Sequence, residues 1–468
     1  MSPFIQTPDN NQSRRSFLKT TAALSLARSA APLALSLAGM GEAAALSAPP
    51  GDYKALVCVF LYGGNDYANT LIPYDPSSYN LYQGFRANLA VSRVFLDPTV
   101  LNPVTPLPNG QQYALAPEMA ALIPRFNAGA LSVLLNIGSL VQPITKAQYT
   151  GGNVPLPPKL FSHNDQQSYW QSSSPEGASS GWGGRMGDLF QASNASGSAF
   201  TCIGLNGNAI YLSGQTAFQY QLTTTGAVAL NAVNSPLFGS SSASAALKTM
   251  LNTPRTHLLE NEYLNVSQRS LSAYSSISQA FGKVALTTTF PLANSLGDQL
   301  QAVAKLIAAR SSLSVKRQVF FVSLGGFDNH TLLAKVHPGL MQTVGDALSA
   351  FYQATVDLGV AKQVTAFTAS DFGRTLLSNS DGSDHGWGSM HFMLGGAVKG
   401  QSFVGTPPVL GNNGPDDVGQ GRLLPQLSVD QLAATLGNWF GVSAQDQLTV
   451  LPNLKNYTLK DLGNLSAA

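Results

Sequence analysis

Charged residues and cysteines are scarce in this sequence, and both shortages narrow what the protein can be. Charged residues make up 11% of the 468 residues, against roughly 25% in an ordinary soluble domain. Lysine and arginine form no run, so neither nucleic acid nor an anionic membrane surface is an expected partner. The two cysteines, Cys58 and Cys202, show no metal-binding or redox spacing. They either pair in an oxidising compartment or, as the apolar residues around Cys58 favour, remain buried thiols.

Several common catalytic motifs are also missing. The chain contains no HExxH and no phosphate-binding P-loop. Asp371, Phe372 and Gly373 spell the DFG of a protein kinase, but the glycine-rich phosphate loop and the HRD loop of a kinase are absent. The chemistry of this chain therefore has to come from another set of residues.

The N-terminal segment predicts export. Residues 13–19 (SRRSFLK) fit the twin-arginine signal pattern, an Ala/Leu-rich run follows, and Ala43-Ala44-Ala45 offers a cleavage site. A membrane helix is the alternative, but Arg28 and Pro32 interrupt the apolar run. We predict a signal peptide over residues 1–45, the twin-arginine translocase as a partner during export, and a periplasmic or extracellular protein that is not attached to a membrane after processing.

Four apolar runs predict strands buried on both faces of a sheet. They cover residues 55–61, 131–137, 318–324 and 363–368. Helical patterns lie between or after them, at residues 117–126, 295–309 and 339–358. This alternation predicts an α/β fold with a largely parallel sheet.

We predict one α/β domain over residues 46–468 that carries an insertion at about 193–289. That region is rich in Ser, Ala, Asn and Thr, and its strand signals are weak. Helices are predicted within it near 245–251 and 255–277, although a set of long surface loops is an alternative. Near the C-terminus, a helix is predicted over 428–440, with Ser428 as its N-cap.

Acidic and histidine residues follow three of the four predicted strands, at the edge where a parallel sheet binds ligands. The residues are Asp66, Asp328, His330 and Asp371, and after a loop come Asp384, His385 and His391. Several carboxylates at one edge repel each other, and a divalent cation relieves that repulsion. Mixed Asp/His ligation suits zinc, manganese or iron, whereas calcium and magnesium prefer oxygen ligands. The alternative is that each Asp only caps a turn after its strand.

The order of the motifs GGND, SHNDQ, GGFDNH, SDFGRT and DHGWG resembles the bacterial family known as domain of unknown function 1501. That family in turn resembles a branch of the alkaline phosphatase and sulfatase superfamily. The resemblance covers essentially the whole chain after the signal. It implies an alkaline-phosphatase-like three-layer α/β sandwich, one or two divalent metal ions, with zinc or manganese favoured over calcium or magnesium, and hydrolysis of phosphate or sulfate esters.

The resemblance also implies roles for single residues. Ser162 would be the nucleophile, with the hydroxyl of Thr70 as a rival, and His163 a ligand or a base. Arg374 would hold an anionic oxygen of the substrate. The metal ligands would be Asp66, Asp328, His330, Asp371 and His385. The chain departs from the superfamily pattern in having one residue between Asp328 and His330, rather than three, and Phe372 in place of a histidine.

Two functions follow from these expectations. The first is an exported, metal-dependent hydrolase acting on a small anionic ester or a glycan. The second is a non-catalytic exported protein that binds a glycan or a cell-envelope polymer and uses any metal for structure.

Overall fold

The computed structural model describes residues 52–466, and the predicted signal peptide lies outside them. The strands in this part of the chain are β1 Lys54–Leu61, β2 Leu71–Pro73, β3 Tyr113–Leu115, β4 Leu131–Gly138, β5 Cys202–Gly204, β6 Gln219–Thr223, β7 Gly226–Ala227, β8 Arg317–Leu324, β9 Val364–Ser370, β10 Ser389–Gly395, β11 Ser402–Val404 and β12 Leu427–Ser428. The α-helices are α1 Pro76–Arg86, α2 Ile123–Asn127, α3 Lys146–Gly151, α4 His163–Ser172, α5 Trp182–Phe190, α6 Asn231–Asn234, α7 Ser241–Asn252, α8 Leu258–Lys283, α9 Ser295–Ala308, α10 Leu333–Asp357, α11 Val429–Phe440 and α12 Ala444–Val450.

One large sheet organises the fold. Its strands lie in the order β11-β4-β10-β9-β1-β8-β5-β6-β7, and β12 pairs with β4. The central strand β1 runs parallel to both β8 and β9. Strand β10 is antiparallel to its two neighbours, β4 and β9. The predicted α/β fold with a mostly parallel sheet is confirmed, and β10 is the internal exception.

The sheet has a hydrophobic core on each face, because successive side chains of a strand point to opposite sides. In β1, residues 55, 57, 59 and 61 belong to one core, whereas residues 56, 58 and 60 belong to the other. Helices α9 and α10 cover the first core, and helices α5 and α11 cover the second. Every residue of β1 is therefore buried, and the fold has three layers.

The four predicted strands are all present, and the helices agree with small differences. The segment predicted as a helix over 117–126 starts as the 3₁₀ helix Pro117–Leu122 and continues as α2. Helix α10 begins at Leu333, ahead of the predicted start at residue 339, and contains Pro338. The predicted cap at Ser428 is confirmed, since its hydroxyl and the Gln431 side chain form a capping box.

The segment 193–289, predicted as an insertion, contributes both strands and helices. Strands β5 and β6 extend the main sheet beyond β8, and β7 pairs with β6. Helices α7 and α8 match the two helices predicted in this segment, and the boundaries of the insertion remain a prediction. Cys58 and Cys202 are both buried and unpaired. Among residues 52–466, no helix combines the length and the apolar character needed to span a membrane.

The ends of the three central strands define the position of the candidate site. Leu61 at the end of β1 lies opposite Leu324 of β8 and Ser370 of β9. The segments that follow these strands are 62–66, 325–330 and 371–374. They therefore leave the sheet side by side, at its carboxyl edge.

Candidate metal centre

Two glycines after β1 allow the three segments to come into contact. Gly63 has a φ of +115°, and a Cβ atom at this position would lie 2.4 Å from the backbone nitrogen of Asp328. Gly64 has a φ of +83°, and a Cβ atom there would lie 2.4 Å from the ring of Phe372. Only glycine adopts these angles without strain and leaves this space. The GGND motif thus fixes the approach of the β8 and β9 segments.

Three imidazoles and one carboxylate converge above this edge. The Nε2 atom of His385 lies 3.1 Å from Nε2 of His163 and 2.9 Å from Nε2 of His330. The Asp328 carboxylate lies 3.5 Å from Nε2 of His163, 3.1 Å from Nε2 of His330 and 3.3 Å from Nε2 of His385. We call these four residues the donor cluster.

The other nitrogen of each ring faces an oxygen acceptor. Nδ1 of His163 lies 2.6 Å from Asp371 Oδ2, and Nδ1 of His330 lies 3.2 Å from Asp384 Oδ1. Nδ1 of His385 lies 2.7 Å from the backbone oxygen of Phe161, which has a strained φ of +72°. These acceptors require a proton on Nδ1, so the Nε2 lone pairs of neutral rings point inward. Anchoring the far nitrogen in this way is typical of metal-ligating histidines.

Arg374 fixes the carboxylate of the cluster. Its side chain is fully buried, and Nη1 donates to Asp328 Oδ1 at 2.8 Å and to the Gly63 carbonyl oxygen at 3.0 Å. Nε and Nη2 donate to Ser383. Burial opposes the ionisation of Asp328, but the hydrogen bond and charge of Arg374 outweigh it and lower the pKa of that carboxyl. Asp328 is therefore anionic at neutral pH.

The pKa values of His163 and His385 shift in opposite directions, although the two rings lie close together. The hydrogen bond that Nδ1 of His163 donates to Asp371 raises the pKa of His163, against the effect of burial. Burial lowers the pKa of His385, and the nearby His163 lowers it further. Two protonated rings with their Nε2 atoms 3.1 Å apart would repel each other strongly. The two rings therefore do not both carry an Nε2 proton, and the lowered pKa of His385 keeps the Nε2 atom of that ring free to bind a cation.

The donor cluster suits a transition metal. Ligands bonded to zinc at about 2.0–2.1 Å in a tetrahedral arrangement lie roughly 3.3 Å apart, close to the five separations of 2.9–3.5 Å given above, which leave out the pair His163–His330. One atom each of His163, Asp328 and His385 lies within 4.8 Å of the others. Three imidazole nitrogens and one carboxylate favour zinc, manganese or iron over the oxygen-preferring calcium and magnesium.

The structure brings together four of the residues named from the sequence and places the others around them. Asp371 contacts His163 Nδ1 and accepts from Gln167 Nε2 at 2.8 Å. Its observed contacts are therefore those of a residue that orients a ligand. The guanidinium of Arg374 donates hydrogen bonds to Asp328, Gly63 and Ser383. It is therefore not free to hold an oxygen of a substrate, the role predicted for it.

Asp66 lies away from the donor cluster. Its carboxylate forms a fully buried ion pair with Arg86, the last residue of α1. Thr70 is also buried, and its hydroxyl donates to the backbone oxygen of Asp66 at 2.8 Å. Ser162 precedes α4, and its Oγ donates to Asp165 Oδ2 at 2.8 Å. Neither hydroxyl contacts the cluster atoms within the described part of the chain.

His391 and His337 have no part in the donor cluster. His391 lies in β10, where its Nδ1 is 3.1 Å from Thr368 Oγ1 and its ring packs edge-on against Trp170. Burial lowers the pKa of His391 to about 3. His337 is buried in α10, and its Nε2 atom lies 3.1 Å from Asn65 Oδ1. Of the histidine and aspartate residues between positions 370 and 392, only His385 belongs to the donor cluster.

Sequence reasoning missed Gln167, the anchoring role of Asp384 and the carbonyl group of Phe161. Gln167 had a usable signal, since it follows His163 by four residues and so lies on the same face of α4. The ring of Phe372 packs against His163 and His385, with centroids 4.9 and 4.7 Å away. It supplies an apolar wall for two of the imidazoles.

Comparison with known proteins identifies the family. The sequence profile of the protein family of unknown function DUF1501 matches residues 53–461, so the chain belongs to that family. No curated protein matches the chain. It is similar, at 10% identity and a TM-score of 0.35, to the structure titled Ps i-CgsB in complex with k-i-k-neocarrahexaose, covering 86% of this chain and 77% of that chain. It is also similar to the lipoteichoic acid synthase LtaP from Listeria monocytogenes, at 9% identity, a TM-score of 0.32, and 89% and 81% coverage.

Proposed function

We propose that this DUF1501 protein is an exported, metal-dependent hydrolase of phosphate or sulfate esters. The observation that carries the proposal is the donor cluster, His163, Asp328, His330 and His385, with its inward Nε2 atoms. A bound divalent ion would supply a Lewis acid for an ester oxygen. The side chains of Asp328 and His330 are 46% and 43% exposed, so a substrate has access to the cluster from solvent.

The start of α4 supplies a second feature for an anionic substrate. This helix begins at His163, and no side chain of the described residues caps it. The unpaired backbone N–H groups of a first helical turn attract anions, phosphate groups in particular. An ester bound at the cluster would thus meet a partial positive charge beside His163.

Ser162 is the proposed nucleophile. It is the residue before His163, and its hydroxyl donates to Asp165, a carboxylate whose side chain is 4% exposed. In the proposed step, Oγ bonds to the phosphorus or sulfur atom, and its proton passes to Asp165. The bond to the leaving alcohol breaks, and that oxygen takes a proton from water. The hydroxide left by that water then attacks the phosphorus or sulfur atom, the bond to Oγ breaks, and Asp165 returns the proton to Oγ.

The test uses the protein loaded with zinc or manganese and chromogenic aryl phosphate and aryl sulfate substrates. We expect turnover by the wild type, a loss of at least about 100-fold in kcat/KM in Asp328→Ala and His385→Ala, and no change in His257→Ala. His257 is an exposed histidine before α8 and serves as the matched control. Metal binding without turnover of any ester would instead favour a protein that binds a glycan or an envelope polymer.

Ser162→Ala distinguishes attack by the Ser162 hydroxyl from direct attack by water. If Oγ attacks, this variant loses turnover, and the wild type quenched during turnover gains the mass of one phosphoryl or sulfuryl group on the peptide that contains Ser162. If water attacks directly, Ser162→Ala keeps most of its activity and no mass is added.

Export through the twin-arginine route is part of the proposal. Its support is the SRRSFLK sequence at residues 13–19. Replacing Arg14 and Arg15 with lysine should leave the protein inside the cell with its signal uncleaved, which fractionation and mass spectrometry measure. Export of the Lys-Lys variant at the wild-type level would overturn this part alone.

A further inference from the structure

The charges around the donor cluster suggest how many ions it takes. Among residues 52–466, the charged side chains that contact the three imidazoles or Asp328 are Asp328 itself, Asp371, Asp384 and Arg374. With neutral imidazoles, three carboxylates and one guanidinium leave a net charge of two negative units. One divalent cation balances that charge, and a second would leave an excess of positive charge in a partly buried site.

Asp66, which follows the central strand β1 and lies outside the donor cluster, already has a cation. Its partner is Arg86, and both side chains are fully buried. Nη1 of Arg86 also donates to the backbone oxygen of Thr375 at 3.0 Å, one residue beyond Arg374. The guanidinium is thus held between Asp66 and the segment that carries Arg374. A metal ion bound to Asp66 would have to share a dry site with this fixed positive charge.

One carboxylate oxygen of Asp371 is likewise occupied by hydrogen bonds. Its Oδ2 faces both His163 Nδ1 and Gln167 Nε2. The remaining oxygens, Oδ1 of Asp371 and Oδ1 of Asp66, are buried and accept no hydrogen bond from the described residues. A second ion would bind these two oxygens, and the positive charge of Arg86 beside Asp66 opposes its binding.

We infer that the centre takes a single divalent cation, and that Arg86 replaces a second ion as the permanent counter-charge of Asp66. The inference rests on the metal site of the proposed function and adds its stoichiometry and the role of Arg86. It assigns Asp66 to the support of the loop after β1, rather than to the ligand set. The ion is then held by the donor cluster alone.

The experiment measures metal content and affinity, independently of activity. Protein stripped with a chelator is reloaded with Zn²⁺ or Mn²⁺, and bound metal is determined by elemental analysis and by titration calorimetry. We expect about one equivalent in the wild type and in Asp66→Asn, with affinities within about threefold, and a loss of at least about tenfold in affinity in Asp328→Asn. His257→Ala controls for adventitious binding at an exposed histidine.

Asp66→Asn leaves Arg86 without its counter-charge, so its fold is checked by circular dichroism. If that variant does not fold, Asp66→Asn/Arg86→Met, which removes both charges together, takes its place with the same expected stoichiometry. Two equivalents in the wild type, or the loss of an equivalent in either Asp66 variant, overturn the inference. So does a wild type that binds no metal.

The outcome is distinguishable from a failure of the proposed function. Two equivalents in a protein that hydrolyses esters would overturn only the single-ion inference. One equivalent in a protein without ester turnover would overturn only the hydrolase.

Discussion

The carboxylate of Asp371 lies 2.6 Å from Nδ1 of His163, whose Nε2 atom lies 3.1 Å from Nε2 of His385. The ring of His163 therefore connects a fully buried anion on one side to the open donor cluster on the other. The buried charge makes this imidazole a stronger electron donor and holds its orientation. Asp371 thus acts on the site through His163.

The first prediction concerns the hydrogen bond between Asp371 and His163. Asp371→Ala should lower the affinity for zinc by about 10- to 100-fold, because His163 loses the group that holds its ring. Asp371→Asn should lose less, since its amide oxygen can still accept from Nδ1. Titration calorimetry measures both. Asp381→Ala is the matched control, because that acid lies in the same loop and its side chain hydrogen-bonds to no imidazole in the described structure. Equal affinity in Asp371→Ala and the wild type would contradict the prediction.

The second prediction concerns Arg374. Arg374→Ala should destabilise the fold by about 2–4 kcal/mol, because it removes a buried group that donates to Asp328, Gly63 and Ser383. This loss of stability is smaller than that expected on breaking a fully buried ion pair, because the Asp328 side chain is partly exposed to water. Denaturant unfolding measures the stability and titration the metal affinity, which should also fall. An anion-binding role alone would raise KM and leave the stability as it is.

The third prediction tests the contact at Gly64. Gly64→Ala should cost about 1–2 kcal/mol for its positive φ and about 1–3 kcal/mol more for the clash with the Phe372 ring. Gly129→Ala is the matched control, with a φ of +74° and nothing within 4 Å of the added Cβ, so it should show only the first cost. Thermal unfolding of both variants gives the difference. Equal losses would mean that the ring moves aside without cost.

The fourth prediction concerns pH and the stability of α11. Asp430 is buried in the first turn of this helix, and burial raises its pKa to about 7, against the opposing effects of Ser173 and Arg185. The unfolded chain releases this proton near pH 4, so between about pH 4 and pH 7 the folded state binds more protons. Asp430 therefore lowers the free energy of unfolding as pH rises through this window, by at most about 1.4 kcal/mol per unit.

Asp430→Asn should remove that dependence. Relative to the wild type, the variant should gain stability from about pH 4 to pH 7, where the aspartate would ionise. Guanidinium unfolding of both proteins at several pH values across the window measures the difference. A difference that does not vary with pH would show that the carboxyl is ionised in both states.

The strands were predictable where the chain is buried on both faces. Continuous apolar runs such as the one in β1 are distinctive, and all four predicted runs are strands. Strand β10 was missed because its sequence, SMHFMLG, mixes polar residues with apolar ones and carries the buried His391. The start of α10 was missed because Pro338 suggests a boundary, although the helix continues through this proline, its sixth residue.

The donor cluster was predictable to the extent that topology determines it. Asp328 and His330 follow β8, and His385 follows β9 after a loop. The ends of these strands meet, and the structure brings the three residues together with His163. The pairing of Asp66 could not be read from the sequence. Arg86 lies at the end of an amphipathic helix, where an arginine is usually solvated, and only the packed structure shows that it turns inward to Asp66.

The spacing of the ligands along the chain has a consequence for how the protein acquires its ion. His163 and His385 are 222 residues apart, so the donor set does not exist before the sheet has formed. Binding is then thermodynamically linked to folding, and the ion stabilises only the native state. A metal site of this kind is filled by whichever suitable ion is available in the compartment where the chain folds. For a protein translocated in its folded state, as the proposed twin-arginine route requires, that compartment is the cytoplasm, and metal homeostasis there would select the ion that is exported with the protein.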